Sequence, residues 1–193
     1  DASSGSYFWG VNALPGPTGE NHRVRVARWP ASGWQVDERF PRYLPLPGQV
    51  SRRTELGDSI MTAIALAPLA AGPTRFTDLG RLRLQECERV AALRTELTRC
   101  GAVVREVGDV LEVEPGPLHG AAIETYEDHR MAMAFAILGL KVPGLKIKNP
   151  ACVKKTFPNF FEKLAAAPPL GLGVVIRDAA TGCRLTGAEL FAD

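Results

Sequence analysis

Two stretches of this chain are too apolar to lie on a surface. One runs Asp58-Ser-Ile-Met-Thr-Ala-Ile-Ala-Leu-Ala-Pro-Leu-Ala-Ala-Gly72 and reads as a helix that is apolar almost all round. The other follows Glu127-Asp-His-Arg130, where Met131, Phe135 and Leu138 recur at i, i+4 and i+7. A helix without a polar face must be covered by other elements. With 46% apolar residues the chain has the material to cover both. The expected class is therefore α/β (α+β), with helices packed around each other inside and sheets outside.

The remaining elements follow from caps, turns and periodicity. Asp1 or Ser3 caps a helix running to about Leu14, and Pro15-Gly-Pro-Thr-Gly19 is a turn. His22 to Trp29 alternates like a half-buried strand. Trp34, Val36 and Phe40 suit a helix limited by Pro41 and Pro45, followed by a strand within Leu46–Ser51. The helix opened by Asp58 has Pro68 near its end. Thr74 to Leu79 is a short strand, and Gln85 to Cys100 a helix with Val90, Leu93 and Leu97 on one face and Gly101 as its stop. Gly108-Asp109 turns a hairpin of 102–107 and 110–113, and 115–120 is a loop. Then come a helix 127–140, a strand 145–148, a helix 155–166 capped by Thr156, and a strand pair around 179–182 entered by 173–177. The order recurs with a period of about 60 residues. One globular domain, 1–193, is expected, in three units near 1–57, 58–118 and 119–190.

Composition removes several classes of function. A net charge of +2, with signs interspersed, gives no electrostatic case for nucleic acid or membrane. Cys87, Cys100, Cys152 and Cys183 are scattered without a C-x-x-C pair, which disfavours zinc and suits reduced thiols in a cytoplasmic protein. No run of 18 apolar residues and no signal peptide is present, although the sequence begins at Asp1 without methionine.

Charged residues cluster at predicted helix starts: Asp58; Glu86, Glu88 and Arg89; Asp128, His129 and Arg130; Lys155. A cation at the positive end of a helix is disfavoured by roughly 0.3–1 kcal/mol. It gains a reason beside a bound anion, where free N–H groups and a guanidinium converge. Carboxylates among such cations suit acid/base chemistry on an anionic substrate. The spacing alone equally allows Asp58 as an N-cap, Glu86 and Glu88 as dipole complements, and Arg130 as a solvated partner of Glu127 or Asp128.

Thr125-Tyr-Glu-Asp-His-Arg-Met-Ala-Met133, followed by Lys155-Thr-Phe-Pro-Asn-Phe-Phe161, closely resembles the C-terminal signature of the 5-enolpyruvylshikimate-3-phosphate (EPSP) synthase family, and Asp1-Ala-Ser-Ser-x-Ser-Tyr-Phe8 is a further pattern of it. The resemblance covers nearly the whole chain and corresponds to the second half of that family's sequence. It implies an enolpyruvyl transferase-like domain of three β-α-β-α-β-β units around a helical core, facing another domain across a cleft. It further implies transfer of the enolpyruvyl group of phosphoenolpyruvate to the 5-hydroxyl of shikimate-3-phosphate, through a tetrahedral adduct that eliminates phosphate, with no metal or organic cofactor. By motif, Asp58 corresponds to the carboxylate that holds the shikimate hydroxyl and takes its proton. Glu86 corresponds to the proton donor and acceptor at the methylene carbon. Arg89 and Arg130 correspond to the phosphoenolpyruvate clamp, Lys155 to a lysine facing the same ligand, and His129 to a positioning residue.

The chain departs from the family at Leu82-Arg-Leu-Gln-Glu-Cys-Glu-Arg89, where Gln85 replaces a lysine that touches shikimate-3-phosphate and Arg81 stands where an asparagine is common. The partners implied are the two small substrates and the N-terminal half of the enzyme, without which little activity is expected. Two other readings are a non-catalytic binding or regulatory fragment of the same fold, and the related transferase acting on a UDP-sugar, which lacks the Asp-His-Arg-Met-Ala motif.

Overall fold

The structure, a computed structural model, describes residues 1–14 and 24–192. Its centre is helical. Helix α1 (Ala2–Gly10) is capped by the Asp1 carboxylate, which accepts from the Ser3 amide, and a 3-10 turn (Val11–Ala13) extends it. Helix α2 (Ile60–Leu66) is buried at all seven positions. Helix α4 (His129–Gly139) is buried at eight, Met131, Phe135 and Leu138 included. These three pack on one another, as the absence of a polar face on the two later ones requires. Gly10 sits where α1 meets α2: a Cβ there would come within 2.8 Å of Leu66 Cδ1 and 3.0 Å of Thr62 Cγ2.

Around this centre lies a four-stranded sheet, ordered β1-β2-β4-β3. β1 (Gln49–Ser51) runs parallel to β2 (Thr74–Thr77). β4 (Val110–Val113) is antiparallel to both β2 and β3 (Val104–Val107). In β2 the inward side chains Thr74 and Phe76 are buried while Arg75 is exposed, the alternation of a sheet wet on one face. Helix α3 (Arg89–Arg99) lies between β2 and β3 in sequence. A second, two-stranded parallel sheet pairs β5 (Ala122–Ile123) with β6 (Lys146–Ile147), and helix α5 (Phe160–Ala165) follows it. The order β-α-β-α-β-β is thus complete in 49–113 and shortened after 122. The α/β class with helices inside and sheets outside is as expected. No helix among the described residues is long and apolar enough to cross a membrane.

Several expected elements differ. The turn at 15–19 and residues His22 and Arg23 of the proposed first strand lie outside the described residues. Val24 to Trp29 is not a strand. The Asn12 side chain takes both backbone groups of Val24, at 2.7 and 2.9 Å, and so occupies the hydrogen bonds a ladder needs. The helix after Trp34 is a 3-10 helix, Val36–Tyr43, running through Pro41. Asp58 is not an N-cap: it lies in a short 3-10 turn, Gly57–Ser59, ahead of α2. α3 starts at Arg89, capped by the Glu88 side chain on the Ala91 amide, so Gln85 and Glu86 precede it. Thr156 is not the N-cap of the following helix, a position held by Asn159, but the C-cap of the turn before it. Pro150 starts a 3-10 helix (Pro150–Lys155) that ends on Lys155, and α5 begins only at Phe160. At the C-terminus the expected strand pair is a single bridge, Arg177 with Arg184, around a turn whose amides bond Asp178.

Candidate active site

Helix α4 and its N-cap are preceded by two consecutive left-handed residues, Tyr126 (φ +55°) and Glu127 (φ +57°). Non-glycine side chains rarely adopt this conformation, and its cost is of order 1–3 kcal/mol per residue. The result is the placement of Asp128. Its carboxylate caps α4, with Oδ1 2.8 Å from the Arg130 amide, and is wholly buried. A bare buried carboxylate would be untenable, and the partner is Arg89, the first residue of α3. Arg89 Nε donates to Asp128 Oδ2 at 2.6 Å and Nη2 to Oδ1 at 3.3 Å, a two-pronged contact that a lysine could not make.

From this pair the charges continue in both directions. Arg89 Nη2 also lies 2.5 Å from Glu86 Oε2, and Glu86 Oε1 accepts from Lys155 Nζ at 2.7 Å. Burial works against the Glu86 carboxylate, but Lys155 and Arg89 outweigh it and hold its pKa down at about 2. On the other side the Arg130 guanidinium lies 3.4 Å from Asp58 Oδ2, and Asp58 Oδ1 accepts from Arg52 Nη2 at 2.6 Å. Here too burial opposes ionisation, and Arg52, Arg130 and Arg89 overcome it to keep Asp58 below the ordinary carboxylate range. The outcome is two ion-pair groups, Lys155–Glu86–Arg89–Asp128 and Arg130–Asp58–Arg52, joined where the Asp128 carboxylate accepts the Arg130 backbone amide.

The structure therefore brings together Asp58, Glu86, Arg89, Arg130 and Lys155, drawn from four separate segments. His129 stands beside them, buried, with Nδ1 3.7 Å from Asp128 Oδ1 and without a hydrogen-bond partner among the described residues at that nitrogen. Desolvation lowers its pKa against the pull of Asp128 and leaves the ring neutral at pH 7. Gln85, one residue before Glu86, has its Oε1 enclosed and without a partner. Arg81 is exposed on the 3-10 turn Gly80–Leu84 and makes no hydrogen bond or ion pair among the described residues. The neighbouring Arg83 is spent on Glu88, Glu106 and Asp109 at 2.7–3.1 Å. Arg89 is fully buried, and Nη1 is its one side-chain nitrogen without a partner among the described residues.

Two residues join the site that the sequence does not single out. Arg52 lies on an irregular turn, where no periodicity marks it. Tyr7 is buried in α1, and its hydroxyl lies near enough to the Arg130 guanidinium to feel its charge. Burial, more than the two arginines can offset, pushes the phenol up to about 12. The Tyr7 ring packs edge-on against Phe160, 5.8 Å between centroids, which ties α1 to the helix after Lys155.

The family model for EPSP synthase (3-phosphoshikimate 1-carboxyvinyltransferase) matches residues 39–164. The 3-phosphoshikimate 1-carboxyvinyltransferase of Opitutus terrae is 43% identical over 179 residues, covering 86% of this chain and 41% of that protein. The protein of the same name from Nostoc punctiforme is 38% identical over 183 residues, covering 84% and 42%. The solved EPSP synthase of Acinetobacter baumannii superposes with a TM-score of 0.53 at 25% identity, over 68% of this chain and 28% of that one. The chain thus spans less than half the length of the relatives it matches. On the strength of that match and of the fold, the chain belongs to the EPSP synthase family.

Proposed function

We propose that this chain is one wall of a two-part active site. There the enolpyruvyl group of phosphoenolpyruvate passes to the 5-hydroxyl of shikimate-3-phosphate, and an N-terminal half supplies the facing wall. The observation that carries this reading is the pairing of four cations, Lys155, Arg89, Arg130 and Arg52, with three carboxylates, Glu86, Asp128 and Asp58, around the starts of α3 and α4. Residues 1–193 are read as one domain, with the unit β1 to β4 and its shorter copy after β5 presenting their helix starts to the same cleft.

Phosphoenolpyruvate carries a carboxylate and a phosphate, and its methylene carbon must gain a proton before the neighbouring carbon can be attacked. Arg130, Arg89 through Nη1, and Lys155 hold the anion, with guanidinium groups already fixed by Asp58 and Asp128 and so needing little reorganisation. Glu86, once its cations turn to the ligand, delivers the proton to the methylene and later removes one from the resulting methyl. Asp58 takes the proton of the attacking hydroxyl. Loss of phosphate from the tetrahedral adduct then restores the double bond. Neutral His129 and the Gln85 amide lie where they can bond substrate oxygens.

The test is reconstitution. Mixed with its N-terminal half and both substrates, the chain should release phosphate, and alone it should release almost none. Glu86→Gln should lower kcat by several orders of magnitude while moving either KM only a few-fold. Equal losses in kcat and affinity would remove Glu86 from proton transfer. Full turnover by the isolated chain would remove the second wall.

A further inference from the structure

Glu96 is a glutamate with no exposed surface, two helical turns after Arg89 on the same face of α3. It has three partners, and two belong to the segment that leads into α4. Its Oε1 accepts from the Tyr126 hydroxyl at 2.8 Å. Its Oε2 accepts from the Glu124 amide at 3.1 Å and from Arg99 Nη1 at 2.8 Å. Arg99 in turn donates to the Ala122 carbonyl at 3.2 Å. One helix thus holds 122–128 at two places about 10 Å apart along its axis, Arg89 on Asp128 and Glu96 with Arg99 on 122–126.

Between these two grips lie the left-handed residues Tyr126 and Glu127. Such a conformation persists only where its surroundings over-determine it. Tyr126 has no ring stacked on it among the described residues, its side chain is partly exposed, and its phenol is fixed by the hydrogen bond to Glu96. We propose that Glu96 is a positioning residue of the active site: through Tyr126 and Glu124 it keeps this turn left-handed, and the turn aims Asp128 at Arg89. The kinetic side of the claim rests on the transferase reading above; the structural side does not.

The deciding variant is Tyr126→Phe, which removes one hydroxyl at a partly exposed position and leaves the fold intact. Glu96→Gln, which keeps the size and one acceptor, is its companion. In the 193-residue chain the Arg89 Nε–H should give a protected side-chain signal in 15N–1H spectra, identified by its loss in Arg89→Lys. Tyr126→Phe should raise its hydrogen-exchange rate at least tenfold while the α2 amides stay protected. In the reconstituted enzyme the same change should raise KM for phosphoenolpyruvate about tenfold and leave KM for shikimate-3-phosphate within about twofold, since only the Arg89 side of the site loosens. Glu96→Gln should fall between wild type and Tyr126→Phe. Unchanged Arg89 exchange in Tyr126→Phe overturns the proposal, whether or not the mixture is active. If the exchange responds and wild-type reconstituted protein releases no phosphate, the positioning role stands and the transferase reading falls.

Discussion

Breaking the Arg89–Asp128 pair should be costly, and in a way that depends on which member is removed. Both side chains have zero exposure and lie 2.6 Å apart. Removing one partner of such a pair strands the other charge and costs about 3–5 kcal/mol. In Arg89→Met the stranded Asp128 keeps the Arg130 amide at 2.8 Å, so the lower end, about 3 kcal/mol, is expected. Asp128→Ala leaves the guanidinium with Glu86 as its remaining carboxylate partner and also uncaps α4, which adds about 1 kcal/mol and brings the total to about 4–6 kcal/mol. At about 2–4 °C per kcal/mol for a domain of this size, Tm should fall by about 6–12 °C and about 8–24 °C respectively. The double variant removes the stranded charge together with the pair, so its loss should be at least about 2 kcal/mol smaller than the sum of the singles. Urea unfolding followed by the fluorescence of Trp9, Trp29 and Trp34 measures all three. Additivity within about 0.5 kcal/mol would refute the claim that these two charges hold each other in the core.

Glu86 gives the pH dependence. Its folded-state pKa of about 2 lies below the ordinary value of 4.5, so between these limits the unfolded chain binds the extra proton. The stabilisation is present above about 4.5 and disappears as the pH falls toward 2; the Tm gap between wild type and Glu86→Gln should narrow over that window, and a constant gap would contradict it. At Gly57 (φ +56°) a Cβ would lie 2.6 Å from Asp37 Oδ2 and 2.8 Å from Val36 Cγ1. Gly57→Ala should therefore cost more than about 1 kcal/mol, both from backbone strain and from displacing Asp37. Asp37 Oδ1 accepts the Ser59 amide at 2.7 Å, so Asp37→Ala should cost about 1–3 kcal/mol by orphaning a buried N–H, and Asp37→Asn less. Chemical denaturation ranks the three.

What the sequence reveals is whatever depends on neighbours in sequence. The burial of α2 and α4 follows from their lack of a polar face. The β3–β4 hairpin follows from Gly108-Asp109, and the end of α3 from Gly101, whose φ of +93° favours glycine. What it hides depends on partners far along the chain. An aspartate before an apolar helix reads as a cap, whereas Asp58 answers to Arg52 and Arg130. Thr156 reads as a cap by propensity, whereas the turn from Pro150 has already set the geometry that puts Lys155 on Glu86, 69 residues away. Val24 to Val26 has the right alternation for a strand, but Asn12 claims its backbone first. Glu96 did leave a signal: it falls three residues after Leu93, on the apolar face of α3, where a solvated glutamate has no place.

The alternating charges also determine how the site meets its ligand. With Lys155 and Arg89 Nη2 already committed to Glu86, an anion docking as proposed finds only Arg89 Nη1 unclaimed on these two side chains, and it must win Lys155 from a carboxylate. As it does, Glu86 loses what held its proton affinity down, and its pKa rises toward the ordinary value of 4.5. In the proposed reaction, docking of the anion is thereby coupled to uptake of a proton from solvent, so the proposed acid is loaded by the very molecule it would act on.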